Sequence, residues 1–190
     1  LVNGFYFVAI SLGALFFYAL QYAAEVGWSA QFKRIFEAMV SYLPIGLVVV
    51  LGLLLTGRFG MHHTWHWMDS SLYEVGGENY DAVIAGKGAY FSDVFFWLRT
   101  VIYVGLFIWF ANWFRKKSLL EDKVGGTELH VKQYKRSAIF LVCFAVFSST
   151  LSWDWLMSID THWFSTMYGW YVFSGMWVTC MIFATILTLW

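Results

Sequence analysis

The stretch from Val94 to Phe114, VFFWLRTVIYVGLFIWFANWF, decides the fold. It contains one charge, Arg99, and no proline. As a helix rising about 1.5 Å per residue it is about 30 Å long, the thickness of a bilayer's hydrocarbon core. In lipid each backbone amide must find its partner inside its own segment, so a helix is the form in which this stretch crosses. Arg115, Lys116 and Lys117 follow at once and give the span a basic flank.

Four more stretches read the same way: residues 1–24, 38–56, 137–153 and 164–190, none of which carries a charge. Pro44 stands near the start of the second. Between the first two, Trp28, Phe32, Ile35 and Phe36 recur at helical spacing against Gln31, Lys33, Arg34 and Glu37, which predicts a short helix lying along the interface. The expected fold is all-α: a polytopic transmembrane bundle of about five spans in a single domain, 1–190.

Composition agrees. The chain is 60% hydrophobic, 22% aromatic and 13% charged, with a mean hydropathy of +0.62. A soluble domain carries about 25% charged residues, so a water-soluble fold is excluded, and low-complexity disorder with it. A net charge of zero argues against nucleic acid, which needs a concentrated basic face, and leaves lipid as the surrounding medium. Cys143 and Cys180 lie singly in apolar runs, so no disulfide framework, zinc site, iron–sulfur cluster or c-haem attachment is expected. The chain begins at Leu1 and stops at Trp190 inside an apolar run, which reads as part of a longer protein without a signal peptide.

Basic residues set the expected orientation. Lys33 and Arg34 in 25–37, and Arg115, Lys116, Lys117, Lys123, Lys132, Lys135 and Arg136 in 115–136, place those connections in the cytoplasm. Only Arg58 and Lys87 lie in 57–93, and 154–163 has none, so both face the periplasm. These two hold His62, His63, His66 and His162, which concentrates any chemistry on that side. They also echo one another: His66, Trp67, Ser70, Ser71 and Tyr73 against His162, Trp163, Ser165, Thr166 and Tyr168, a pattern that either a duplicated hairpin or two aromatic belts would produce.

Arg99 is the one formal charge well inside a predicted span, and such a group is paired or functional because insertion costs about 2.5–3.5 kcal/mol. It lies about 9 Å below Asp93 and Asp154 about 25 Å from the inner end of its helix, so the two share a depth and are expected to pair. The alternative is that Arg99 snorkels and Asp154 merely ends a helix. Asp154, Asp160 and His162 put two carboxylates and an imidazole within nine residues, a set suited to relaying protons or taking them from a quinol hydroxyl. An interfacial belt, with Asp160 capping the fifth helix, is the plainer reading. His62 and His66 share one helical face if the segment is helical, yet a metal site would need more ligands than HHxxH supplies. Glu25 and Glu37 could open a proton entry from the cytoplasm.

The run from Trp153 to Gly169, WDWLMSIDTHWFSTMYG, together with HHTWHW at 62–67, resembles the ActF integral membrane component of bacterial alternative complex III, a quinol:cytochrome c or oxidase oxidoreductase, a family related to the NrfD and PsrC membrane proteins. The resemblance implies the bacterial inner membrane and a non-redox subunit that scaffolds extrinsic haem c and iron–sulfur subunits beside a sister quinol-binding membrane subunit. Quinol is then the candidate ligand, no cofactor is held by the chain itself, and proton conduction is an added role. Asp154, Asp160 and His162 match the motif; Arg99 and His66 rest on position and charge. Two rivals stand beside it: an ion-coupled transporter, with Arg99 and Asp154 lining a path, and a haem-b anchor.

Overall fold

The computed structural model describes residues 1–190. Seven α-helices, joined by short 3-10 turns and loops, make up an all-α fold without strands: α1 Val2–Ala23, α2 Lys33–Val40, α3 Leu43–Arg58, α4 Ala82–Gly86, α5 Asp93–Val124, α6 Glu128–Trp155 and α7 Tyr168–Leu189. Five helical stretches are long and apolar enough to cross a membrane: α1, α2 with α3, α5, α6 with the turn after it, and α7. The architecture is that of a multi-pass membrane protein.

Helix α1 is the centre. It packs against α2, α3, α6 and α7, while α3 meets α5, α5 meets α6, α6 meets α7 and α7 meets α2, closing a ring around it. A helix enclosed this way needs no polar face, and α1 carries no charge from end to end. Where lipid offers no hydrophobic drive, small residues let backbones approach. A Cβ at Gly13 would stand 3.0 Å from the Cys180 Cβ and 3.1 Å from the Met176 carbonyl oxygen, so glycine sets the α1–α7 distance.

The interfacial segment differs from the sequence expectation. Residues 25–37 do not form one helix: Trp28–Gln31 is a 3-10 turn, and α2 runs from Lys33 into the apolar stretch as far as Val40. Pro44 sits in the first turn of α3. It has no N–H to offer the Val40 carbonyl and its ring crowds that oxygen, so the chain breaks at Ser41–Tyr42 and restarts.

The connection at 115–136 is not a loop. Helix α5 continues ten residues past Phe114, and α6 starts nine before Ser137, leaving Gly125–Thr127 as the turn. Leu, Lys, Glu and Arg dominate both extensions and favour helix, and no proline interrupts them. The 32 residues of α5 span about 48 Å, so this hairpin stands about 15 Å beyond the apolar stretch. We call this the hairpin end. The opposite, loop end carries residues 59–92 and 156–167.

Candidate functional site

Two polar clusters stand on this scaffold, one at each end. At the loop end, Asp154 lies on the last turn of α6 and Arg99 on the second turn of α5, helices that pack together. The expected pair forms. Arg99 Nε donates to Asp154 Oδ2 at 2.7 Å and Nη2 to Oδ1 at 3.0 Å, a bidentate fork. The Tyr103 hydroxyl adds a third bond, to Oδ2, at 2.8 Å. Asp154 is fully buried. The guanidinium also donates to the Tyr90 carbonyl at 3.2 Å and lies 4.0 Å from the Tyr90 ring centre and 4.4 Å from that of Phe95. Each charge is therefore answered by several partners, and the arrangement locks α5, α6 and the 87–92 segment together.

The remaining sequence candidates lie elsewhere. Asp160 and His162 are exposed, and the Asp160 carboxylate accepts from the His162 amide at 3.2 Å. Asp160 does not cap the last helix, which begins at Tyr168 with Met167 as its cap. His162 Nε2 stands 2.7 Å from Asp81 Oδ2, so the imidazole joins the two loops instead of reaching Asp154. Asp81 in turn caps α4 through the amides of Val83 and Ile84. The Ile84 amide first, and then the His162 imidazole, hold its carboxyl below the usual aspartate range. Lys87 reaches across to the Thr161 carbonyl, a second tie between the loops.

The histidine triplet does not converge. His62 Nε2 lies 3.1 Å from both Thr56 Oγ1 and the Leu53 carbonyl, closing the end of α3, while His63 and His66 lie at the surface. No three His, Cys, Asp or Glu side chains are grouped as metal ligands. The echo between the loops also ends at burial: Trp67 is 2% exposed and stacks on Phe91, whereas Trp163 is 50% exposed. Trp65, also buried, donates from Nε1 to the Trp155 carbonyl at 3.0 Å, so the first loop is seated on the end of α6.

At the hairpin end the structure assembles a cluster that no sequence motif announces. Gln133 on α6 is fully buried. Its Oε1 accepts from the Tyr18 hydroxyl at 2.8 Å, and its Nε2 donates to the Tyr22 oxygen at 3.0 Å and to Glu121 Oε2 at 2.8 Å. The same Glu121 oxygen accepts from the Tyr22 hydroxyl at 2.8 Å and from Lys33 at 3.2 Å, while His130 Nδ1 stands 3.7 Å from its other oxygen. A cleft of about 260 Å³ opens beside this network, with Tyr22, Lys33, Glu121 and His130 in its wall. Gln21 also lines it, its buried Oε1 without a partner. Acid, imidazole, ammonium and phenols around one cleft can hold a small polar molecule or pass a proton. Tyr18, Gln21 and Tyr22 at i, i+3 and i+4 were the available sequence signal, a polar stripe on one end of an apolar helix. Glu37, a sequence candidate for proton entry, is buried and ion-paired with Arg34, which also holds Asp122. Glu25, in left-handed backbone at φ 51°, follows the end of α1.

No protein-family model matches the chain, and no match is found among curated proteins.

Proposed function

We propose that the chain is a non-redox integral membrane subunit of a bacterial respiratory quinol-oxidising complex, similar to ActF of alternative complex III, and that it docks extrinsic haem c and iron–sulfur subunits on its loop end beside a sister quinol-binding membrane subunit. The observation that carries this reading is the behaviour of the WDWLMSIDTHWFSTMYG run as one unit. Its first residues are anchored by the Arg99–Asp154 fork. Its last residues present Trp163, Phe164 and Met167 outward, and Trp170 and Tyr171 just beyond it continue the surface, all at least half exposed. A locked root under an open aromatic surface suits a docking platform, since tryptophan and tyrosine supply large contact area at small entropic cost. Helix α7, the least buried span at 17%, leaves a long face for a neighbouring membrane subunit.

In this reading Arg99 and Asp154 give rigidity, and any proton handling at the loop end falls to the exposed His162–Asp81 pair, Asp160 and His66. The test uses the full-length parent, tagged and extracted gently, with the reduced-minus-oxidised visible spectrum of what copurifies. A c-type signal that leaves with detachable partners is the expected result. An intact preparation without haem and without partners overturns the reading in favour of a transporter. A b-type signal retained by the isolated chain overturns the non-redox assignment.

A further inference from the structure

The hairpin end sorts its charges by direction. Glu121 and Asp122 turn inward onto Lys33 and Arg34 of α2. No carboxylate lies within ion-pair distance of the basic residues that remain: Arg115, Lys116, Lys117, Lys123, Lys132, Lys135 and Arg136, most of them exposed. The sequence interleaves both signs, but the fold leaves the outward surface basic.

One place on that surface is built rather than diffuse. The Arg136 guanidinium lies 5.2 Å from the Trp109 ring centre and 5.3 Å from that of Trp113, two indoles one turn apart on α5. Arg136 makes no hydrogen bond within the chain, so its five N–H donors are presented by aromatic planes without an acceptor. Lys117 continues the Trp109–Trp113 stripe one turn further along α5, and Lys132 lies one turn from Arg136 along α6. Because Arg136 touches both indoles, the two stripes face each other. Glu128, a turn beyond Lys132, is the nearest acid along α6 and forms no ion pair.

Depth identifies the ligand. Trp113 and Phe114 end the apolar stretch of α5, and Arg136 immediately precedes that of α6, so the cluster sits where hydrocarbon gives way to headgroups, the level at which tryptophan anchors. We propose that Trp109, Trp113 and Arg136, with Lys117 and Lys132, form a binding site for the phosphate of an anionic phospholipid. The indoles receive the upper acyl chain and hold the guanidinium flat, Arg136 forks onto the phosphate oxygens, and the two lysines balance the net negative headgroup.

The test is native mass spectrometry of the delipidated full chain titrated with phosphatidylglycerol, phosphatidylcholine or inorganic phosphate. Wild type should retain phosphatidylglycerol in preference to both others. Arg136→Gln should weaken that retention about five-fold or more, and Lys117→Gln, at a site without structural bonds, should act in the same direction. Lys123→Gln, at the hairpin tip and outside the cluster, should have little effect. Equal retention of the two lipids, or inorganic phosphate binding as tightly as phosphatidylglycerol, overturns the proposal. So does a loss in Lys123→Gln equal to that in Arg136→Gln, since binding would then follow total charge. Arg136→Lys, which keeps the charge and loses the fork, should fall between Gln and wild type; retention equal to wild type removes the bidentate role.

Discussion

Asp154 is the residue on which most depends. Its carboxylate is fully buried and answered by Arg99 and Tyr103, so Asp154→Asn leaves an arginine of 11% exposure without its counter-charge. Breaking a buried pair from one side costs about 3–5 kcal/mol, and the loss should appear as a lowered thermal midpoint of the detergent-solubilised chain. Arg99→Met combined with Asp154→Leu should recover much of it, because no unpaired charge is left behind. Full stability of the single variant would show that the fork contributes nothing. Asp81 makes a prediction in pH. Its folded carboxyl titrates below the ordinary aspartate value of 3.8, so the α4 cap is in place above that value and is lost as pH falls through the lower folded one. Protection of the Val83 and Ile84 amides, taken as exchange relative to the intrinsic rate at each pH, should therefore be steady from pH 7 to 5 and fall only below 3.8.

Among the elements, the two hairpin-forming helices and the central one carry the clearest dependence on single positions. Gly125 ends α5 at φ 67° and ψ −169°, a region that only glycine enters freely. Gly125→Ala should cost about 1–3 kcal/mol and loosen the register that seats Gln133 against Tyr18 and Glu121, measurable as raised amide exchange across 118–133. Gly13→Leu tests the α1–α7 contact. The larger side chain meets the α7 backbone, so the helices must separate, at about 1–3 kcal/mol, read by thermal unfolding. The same substitution at Gly105, where a Cβ would meet nothing within 4 Å, should be tolerated.

For the whole molecule, five helical stretches long and apolar enough to cross a membrane predict that the loop at 59–92 and the hairpin tip lie on opposite sides of a bilayer. Single cysteines at Ser70 and Thr127, both exposed, should be labelled by an impermeant maleimide from opposite faces of sealed vesicles. Labelling of both from one face would contradict the arrangement of spans. The native cysteines provide a quiet background, since Cys143 and Cys180 lie within the span helices and Cys180 is buried.

Chain length, charge count and apolar run length determined the all-α class and the five spans and put Arg99 and Asp154 at matching depth, because a bilayer imposes one dimension and one penalty that act on each segment separately. Depth along a helix is additive in residue number, so two charges at equal depth could be matched without a fold. Only the tertiary structure decided that α1 stands at the centre, that His162 turns to Asp81 rather than Asp154, and that Glu121, Gln133, Tyr18 and Tyr22 meet. Those contacts depend on the rotation of each helix about its own axis and on which neighbours it takes. The stretch of α5 from Thr100 to Phe114, without a charge on any face, carries no periodicity that would reveal either.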